Sequence, residues 1–171
     1  MNSDREITEV RSLARISLAS VAVLTALLAG ALLLGRSADG PLAWFPGGPF
    51  SGEIERGAEP DWSFAAALDT VEAQIGSTPP RSVRTGIVVF EGVPYLPVTL
   101  SFLKRWQHVV ARNPRVVVRI EGRLFERNAT AVTDAEHLSR LIAAGHAKYG
   151  APFHARWAAA FTQYFRLDPI R

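Results

Sequence analysis

The sequence contains no cysteine and only one methionine among 171 residues. It therefore forms no disulfide, offers no thiolate to a metal ion and has no cysteine for a lipid anchor. The Gly-x-Ser-x-Gly nucleophile motif, the phosphate-binding P-loop and the dinucleotide motif Gly-x-Gly-x-x-Gly are also missing. Nothing in the motifs thus favours a hydrolase, a P-loop nucleotidase or a Rossmann-type dehydrogenase.

Metal and nucleic-acid binding also lack support. No metal site is predicted, because no spacing typical of metal ligands occurs among His108, His137, His146 and His154. The formal net charge of +3 gives no reason to expect a nucleic-acid partner. Residues 81–127, however, hold nine basic residues against three acidic ones. This basic region either faces an anionic ligand or anionic lipid head groups, or forms solvated strand surface.

The most conspicuous feature that is present is the uncharged apolar run of residues 16–35. Twenty helical residues at about 1.5 Å each span roughly 30 Å, the thickness of a bilayer core. A buried core helix of this kind would need a larger protein around it. A cleaved signal peptide has a shorter apolar region and ends in small residues, whereas Arg36 follows this run. We predict an uncleaved transmembrane signal anchor, with cleavage as the alternative.

Basic residues at the two ends of the run predict its orientation. Arg5, Arg11 and Arg15 precede the run, while Arg36 alone follows closely, which favours a cytoplasmic N-terminus. We therefore predict a single-pass inner (plasma) membrane protein that contacts membrane lipid through residues 16–35. Its parts are a cytoplasmic tail (1–15), the span (16–35), a Gly/Pro-rich connector (36–60) and a periplasmic or extracellular domain (61–171).

The connector carries three aromatic residues although its glycines and prolines disfavour regular structure. Trp44, Phe45 and Phe50 follow the span closely. They either lie at the membrane interface, where aromatic rings are favoured, or pack on the domain as an N-terminal strap.

The first half of the domain is predicted to hold three strands. A short helix capped by Asp61 leads into a strand over residues 69–75. A hairpin follows, with strands Val83–Phe90 and Val93–Leu100 joined at Glu91-Gly92. Because Pro94 and Pro97 donate no backbone hydrogen bond, the second strand is expected to be an edge strand or a distorted one.

The second half is predicted to hold three more strands and two or three helices. A helix over Phe102–Val110 ends at Asn113-Pro114, since the residue before proline is disfavoured in a helix. The later predicted elements are strands Arg115–Glu121 and Arg123–Val132 around a Glu121-Gly122 turn, a helix from the capping box Thr133–Glu136 to Gly150, a short helix over Phe153–Ala159 and a strand over Phe161–Leu167. The predicted fold is mainly β (α+β), a six-stranded antiparallel barrel with peripheral helices behind a transmembrane helix.

This order of elements resembles the pyridoxamine 5'-phosphate oxidase-like split barrels, including the deazaflavin-dependent nitroreductase-like branch. The residues that carry the resemblance are Lys104 with Trp106, Asn113-Pro114-Arg115-Val116, Glu121-Gly122 and Phe165-Arg166-Leu167-x-Pro169. The resemblance covers about residues 60–171. It implies a split barrel that binds FMN or a deazaflavin, at the interface of a homodimer.

The resemblance also implies which residues hold the cofactor. The basic residues at the phosphate-binding positions are Arg84 and Lys104, with Ser101 and Trp106 nearby. The chain departs from the family at Phe102, where a hydroxyl residue is common. Arg84 and Lys104 are otherwise interpreted as surface charges, and the sequence identifies no catalytic residue.

Two functions are consistent with these patterns. The first is a membrane-anchored oxidoreductase that uses a flavin or deazaflavin on a small-molecule substrate, with the hydride chemistry supplied by the cofactor. The second is a non-catalytic barrel that binds a small ligand, a lipid or a partner protein at the outer membrane face. The absence of an acid–base or nucleophile motif favours the second, and the resemblance favours the first.

Overall fold

The structure is a computed structural model that describes residues 3–43, 45–76, 78–99, 105–150 and 161–170. Its described part contains four helices and seven strands. They are α1 Ser3–Ser37, α2 Ser63–Ala66, β1 Thr70–Ile75, β2 Arg81–Gly86, β3 Val88–Phe90, β4 Val93–Val98, α3 Trp106–Arg112, β5 Arg115–Ile120, β6 Arg123–Ala131, α4 Ala135–Tyr149 and β7 Gln163–Pro169. The strands form one antiparallel sheet in the order β2-β1-β5-β6-β7-β4-β3, curled into a half-barrel.

Helix α1 extends the predicted apolar segment at both ends. Its stretch Ala19–Ser37 is long and apolar enough to cross a membrane, and almost none of it is buried against the rest of the chain. Large apolar side chains such as Leu24, Leu27 and Leu34 are more than half exposed. Water is an unfavourable surrounding for such a surface, because each exposed methylene group carries a hydration cost.

The sheet has seven strands, whereas six were predicted, because the chain breaks the predicted strand Val83–Phe90 at Ile87. Two side chains of α4 satisfy the backbone of Ile87. Its N–H donates to the Tyr149 hydroxyl at 2.9 Å, and its carbonyl accepts from Lys148 Nζ at 2.8 Å. Lys148 also donates to the Leu68 carbonyl at 2.6 Å. These partners come from a distant part of the sequence, so local β-propensity does not reveal the break.

Of the two alternatives predicted for the strand with two prolines, the edge position is wrong, because β4 lies between β3 and β7. The neighbouring strands nevertheless do not require the N–H groups that Pro94 and Pro97 lack. The β7 partners of β4 begin opposite Tyr95, which leaves Pro94 outside that pairing. The Pro97 carbonyl accepts from Thr85 Oγ1 at 3.1 Å, beyond the end of three-residue β3. An internal strand tolerates proline where no ladder hydrogen bond is required.

The two predicted Glu-Gly turns are confirmed. Glu91 and Gly92 have φ of 52° and 75°, and Glu121 and Gly122 have φ of 50° and 80°. Positive φ at both central residues is the geometry of a type I′ turn, whose twist matches that of the flanking strands. These turns join β3 to β4 and β5 to β6.

The predicted alternation of β5 is also confirmed, because its second, fourth and sixth residues are buried. Val116, Val118 and Ile120 join Phe125 and Phe165 in the main core. A second cluster lies under α4 and includes Tyr95, Leu141 and Tyr164. The half-barrel is thus filled on its concave side and covered by α4 at the β3–β4 end.

The N-cap of helix α4 is one residue later than predicted. Asp134 is the N-cap, and its carboxylate accepts the His137 backbone N–H at 2.7 Å. The interpretation of Thr133 as the cap is therefore wrong; an aspartate supplies an equally good acceptor one position further on. Gly150, with φ of 76°, ends α4 as predicted.

The remaining boundaries differ by a few residues. Helix α3 ends before Asn113, which is extended, as predicted from the following proline. The last strand, β7, begins two residues later than predicted. The predicted helix Phe153–Ala159 and the N-terminal part of the helix predicted from Phe102 lie outside the described residues.

The connector pairs with the sheet at Gly47 and Ile54, and between these points it crosses the convex side. Phe50 packs there as a strap, since its N–H donates to Gln74 Oε1 at 2.6 Å and the Arg119 guanidinium lies 4.4 Å from its ring centroid. Further along, the Glu55 N–H donates to the Leu124 carbonyl at 2.7 Å. Phe45 is exposed, and Trp44 lies outside the described residues. The strap alternative is therefore confirmed for Phe50, and the membrane-interface alternative for Phe45 stays a prediction.

Candidate functional site

The pairing of β1 with β2 decides which basic side chains share a face of the sheet. Arg84 lies opposite Glu72, and Arg81 lies opposite Ile75. Directly paired residues of an antiparallel sheet project to the same face. Ile75 is buried on the concave side, whereas Glu72 is on the convex side with the strap. Arg81 therefore belongs to the concave face and Arg84 to the convex face, although only two residues separate them.

Helix α3 lies beside the concave face and presents three further side chains there. Its buried residue Val110 anchors it in the core. Trp106 packs on Phe165, with ring centroids 5.9 Å apart. One turn further on, Val109 is exposed, and Arg112 follows at the end of the helix. The helix is thus fixed on its inner side and leaves an outer side open toward β2.

The space between α3 and the start of β2 forms a groove of about 850 Å³, called the α3 groove below. Its wall is mostly apolar, and it carries three arginines. The lining residues are Pro46, Ile75, Gly76, Thr78, Pro79, Arg81, Val83, Arg105, Trp106, Val109, Arg112 and Asn113. A concave, largely apolar cavity of this size with a few polar groups is typical of small-molecule sites.

The charge of the α3 groove has one sign. No acidic residue is among the described residues that line it. Arg81, Arg105 and Arg112 also have no ion pair with any residue that the structure describes. Like charges gathered without carboxylates create a positive potential. The groove is therefore suited to a ligand with an apolar body and an anionic group.

Arginines on the convex face are neutralised instead. Arg119 Nε donates to Glu72 Oε2 at 2.7 Å, and its Nη1 donates to Asp39 Oδ1 at 2.9 Å. Arg84 lies 3.2 Å from the other oxygen of Glu72. The Ser51 N–H and then Arg119 lower the pKa of Asp39. This network ties the strap to β1 and β5, and an open cavity of about 480 Å³ lies above it.

The structure does not bring the described members of the predicted cofactor site together. Arg84 is in the convex network, and Trp106 lines the α3 groove. Ser101 and Lys104 lie outside the described residues, directly before Arg105 in the chain. The predicted site of Arg84, Ser101, Lys104 and Trp106 therefore stays a prediction.

Sequence reasoning did not single out Arg81, Arg105 and Arg112. A signal was nevertheless available. Arg81 and Val83 stand two residues apart on a strand, which places them on one face. Arg112 follows Val109 by three residues, which places both on one side of a helix. The excess of basic residues over 81–127 also pointed to this region.

Other titratable clusters are structural. No group of His, Asp and Glu that could hold a metal ion occurs among the described residues. His137 Nε2 lies 3.0 Å from the Tyr95 hydroxyl, under α4. Burial raises the pKa of Tyr164 to about 12 and lowers that of Lys148. Since Lys148 donates to the carbonyl of Ile87 at the strand break and to that of Leu68 before β1, it joins α4 to both segments.

Comparison with solved structures identifies the class of fold. HutZ, described as the heme storage protein of Vibrio cholerae, aligns with a TM-score of 0.51 and 17% identity over 63% of this chain and 86% of that chain. A conserved hypothetical protein from Mycobacterium tuberculosis aligns with a TM-score of 0.51 and 19% identity over 67% of this chain and 82% of that one. No protein-family model and no curated protein matches the sequence.

These similarities show the fold that the resemblance predicted. The chain has the pyridoxamine 5'-phosphate oxidase-like split-barrel fold. The same fold serves different ligands and reactions, so the fold leaves the function to be argued from the groove itself.

Proposed function

We propose that the chain is a membrane-anchored split-barrel protein that binds a flavin or deazaflavin cofactor in the α3 groove and acts in a redox reaction. The observation that carries this proposal is the combination, in one groove, of an apolar wall with three arginines that have no described carboxylate partner. The cofactor supplies hydride chemistry when bound, and the protein supplies its position and electrostatic surroundings.

The described residues of the groove fit both ends of such a cofactor. A guanidinium binds a phosphate through two parallel hydrogen bonds, and Arg81, Arg105 and Arg112 provide this group. Ile75, Val83 and the ring of Trp106 provide apolar contact for a planar ring system. The volume of about 850 Å³ is within the range of cofactor sites. A homodimer, as the resemblance implies, is part of the same proposal.

Anchoring by α1 is the second part of the proposal. The exposed apolar side chains of Ala19–Ser37 favour a lipid surrounding over water. The basic residues before the span favour a cytoplasmic N-terminus, which places the barrel on the periplasmic or extracellular side. A reporter enzyme that is active only outside the cytoplasm, fused after residue 171, is expected to be active. An inactive fusion that is found in the cytoplasm would contradict this orientation.

The test of cofactor binding uses the full chain, purified in detergent. Flavin, deazaflavin and heme differ in visible absorbance, so the spectrum of the purified protein distinguishes them. Heme is included because HutZ, which has the same fold, is described as a heme storage protein. Added FMN is expected to bind more tightly than riboflavin, which lacks the phosphate. A featureless spectrum together with no binding of any added cofactor would contradict the proposal.

Two variants connect binding to the groove. Arg112→Gln is expected to weaken FMN binding about 10-fold, since a lost charge-assisted hydrogen bond costs about 1.5 kcal/mol. Its effect on riboflavin is expected to be small. Arg140→Gln is the matched control, because Arg140 is an exposed arginine that pairs with Glu91 away from the groove. Equal loss of FMN binding in both variants would mean that the α3 groove is not the FMN site.

A non-catalytic binding barrel is the second candidate function. The groove favours it in one respect, because its described lining has no Asp, Glu or His that could act as a general acid or base. Such a protein is expected to retain its ligand without turnover. Stabilisation by a flavin against heating, combined with no reduction of the bound flavin by a nicotinamide or deazaflavin donor, would favour this candidate.

A further inference from the structure

A tight hairpin in the connector carries two exposed apolar side chains beside the end of α1. Leu42 and Phe45 pair through two backbone hydrogen bonds, 3.1 Å and 2.9 Å long. Ala43 has a φ of 52°, which turns the chain sharply between them. Leu42 and Phe45 are 45% and 47% exposed. Leu42, Ala43 and Phe45 are together called the interface hairpin below.

The interface hairpin lies against the last turn of α1. Gly35 is buried there, and a Cβ atom built on it would lie 3.2 Å from the Pro46 carbonyl and 3.9 Å from Leu42 Cδ1. The Gly48 N–H donates to the Ala38 carbonyl at 3.1 Å, which closes the loop between helix and hairpin. Since the apolar stretch of α1 extends to Ser37, Leu42 lies beside the final turn of that stretch.

The barrel holds the interface hairpin in this place. Gly47 and Ser82 exchange backbone hydrogen bonds of 2.9 Å and 3.2 Å, which joins the connector to the start of β2. Ser82 Oγ also donates to the Gly48 carbonyl at 2.7 Å, and Ser82 is fully buried. The chain just after the hairpin is thus bonded both to the sheet, at Ser82, and to the end of α1, at Ala38.

We infer that the interface hairpin is a second membrane contact, with Leu42 and Phe45 inserted into the interfacial layer of a phospholipid bilayer. The inference rests on the proposed anchoring by α1, because it takes the depth of the hairpin from that helix. Aromatic side chains are enriched at this level of a membrane. An apolar pair that is half exposed in water loses its contact with water when it enters lipid. The surface that it meets is lipid, since the adjoining turn of α1 is lipid-facing.

The inference has a consequence for the α3 groove. Pro46, the residue after the hairpin, lines the groove, and Arg81 stands directly before Ser82. Two membrane contacts, α1 and the hairpin, hold the barrel more firmly than one flexible tether. The groove then opens beside the membrane surface, whichever ligand it holds.

The absence of cysteine makes a direct test simple, because one introduced cysteine is a unique labelling site. An environment-sensitive fluorophore is attached to full-length Phe45→Cys, Leu27→Cys or Ser139→Cys. Each protein is placed in lipid nanodiscs with and without lipids that carry a nitroxide quencher. Leu27 reports on the span, and Ser139 is an exposed residue of α4. Its neighbour Arg140 pairs with Glu91, which follows the end of β3, whereas Arg81 of the α3 groove stands at the start of β2.

Nitroxide lipid is expected to reduce the fluorescence at positions 27 and 45 several-fold more than at position 139. Quenching at 27 with none at 45 would overturn the inference and leave the anchoring intact. No quenching at 27 would overturn the anchoring and the inference with it. Leu42→Cys is the second variant for the hairpin; it is expected to behave as Phe45→Cys does, and an unquenched label at both positions would be decisive against the contact.

Discussion

The two faces of the sheet carry arginines in opposite settings, and β2 contributes one arginine to each face. On the convex face, Arg84 and Arg119 share the carboxylate of Glu72, and Arg119 reaches Asp39 as well. On the concave face, Arg81 lines a groove with Arg105 and Arg112, where no described residue is acidic. The same residue type therefore holds the strap on one side and leaves a positive groove on the other.

The difference separates structural charge from charge that is available to a ligand. An arginine that is already paired gains little from a phosphate, because it would have to give up its carboxylates first. An arginine in a positive groove gains more, since an incoming anion also relieves repulsion from its neighbours. The convex network is therefore expected to govern stability and the concave groove to govern binding.

The largest effect, a loss of stability, is expected from a substitution of Arg119, the centre of the convex network. Arg119→Leu removes both carboxylate contacts and the contact with the Phe50 ring, and leaves Glu72, only 19% exposed, without its shortest partner. We expect a loss of about 2 kcal/mol in the free energy of unfolding, since a poorly solvated charge loses its main hydrogen bonds. Chemical denaturation of the full chain in detergent measures it.

Arg115→Leu is the control for this variant. Arg115 is 60% exposed and pairs with Glu126 at 3.0 Å. Exposed ion pairs contribute from 0 to about 1 kcal/mol, so its effect is expected to be much smaller. If both variants lose the same stability, the convex network is no more important than an ordinary surface pair.

A smaller effect, on FMN binding alone, is expected when each of the two arginines of β2 is replaced by glutamine in turn. Arg81→Gln is expected to weaken FMN binding about 10-fold, equivalent to about 1.4 kcal/mol, because one phosphate donor is lost. Arg84→Gln is expected to leave FMN affinity unchanged, since Arg84 is on the other face and paired with Glu72. Titration followed by flavin fluorescence measures both.

The opposite result would be equally informative. Loss of binding in Arg84→Gln but not in Arg81→Gln would favour the site predicted from the sequence, with Arg84, Ser101 and Lys104 around the phosphate. It would also move the cofactor from the α3 groove to the convex face.

Local patterns were sufficient to predict most of the fold. The strict alternation of β5 follows from one buried face, and the Glu-Gly turns follow from the need for positive φ. The break at Ile87 could not be predicted, because Lys148 and Tyr149 satisfy its backbone from some 60 residues away. Likewise, the internal place of β4 depends on where β3 ends and where β7 pairs.

The site was harder to predict than the fold, and the two arginines of β2 show why. The spacing of Arg81 from Val83 places these two residues on one face of the strand, but it does not tell which face meets a carboxylate on the neighbouring strand. The choice depends on the register with β1, which sets Arg84 beside Glu72 and Arg81 beside Ile75. Register is a property of two strands, so one strand's sequence does not contain it.

The smallest effect is expected from acid, and it too separates the two faces. The pKa of Asp39 is lowered in the folded chain by the Ser51 N–H and by Arg119. A carboxylate whose folded pKa is depressed contributes stability above its unfolded pKa of about 3.9 and loses it as the pH falls through the lower folded value. Acidification below about pH 4 should therefore loosen the strap on the convex face, whereas no Asp or Glu is among the described residues that line the α3 groove.

Because Asp39 is about half exposed, its contribution is screened and small. Thermal unfolding of the full chain and of Asp39→Asn, measured at pH 7 and again near pH 3, isolates it. The difference between the two proteins is expected at pH 7 and should shrink at the lower pH, where the wild-type carboxyl is also becoming neutral. Equal unfolding temperatures of the two proteins at both pH values would mean that Asp39 acts through its backbone carbonyl, which accepts from Arg119 Nη2 at 3.0 Å and is retained in Asp39→Asn, and that the charge of its side chain contributes nothing.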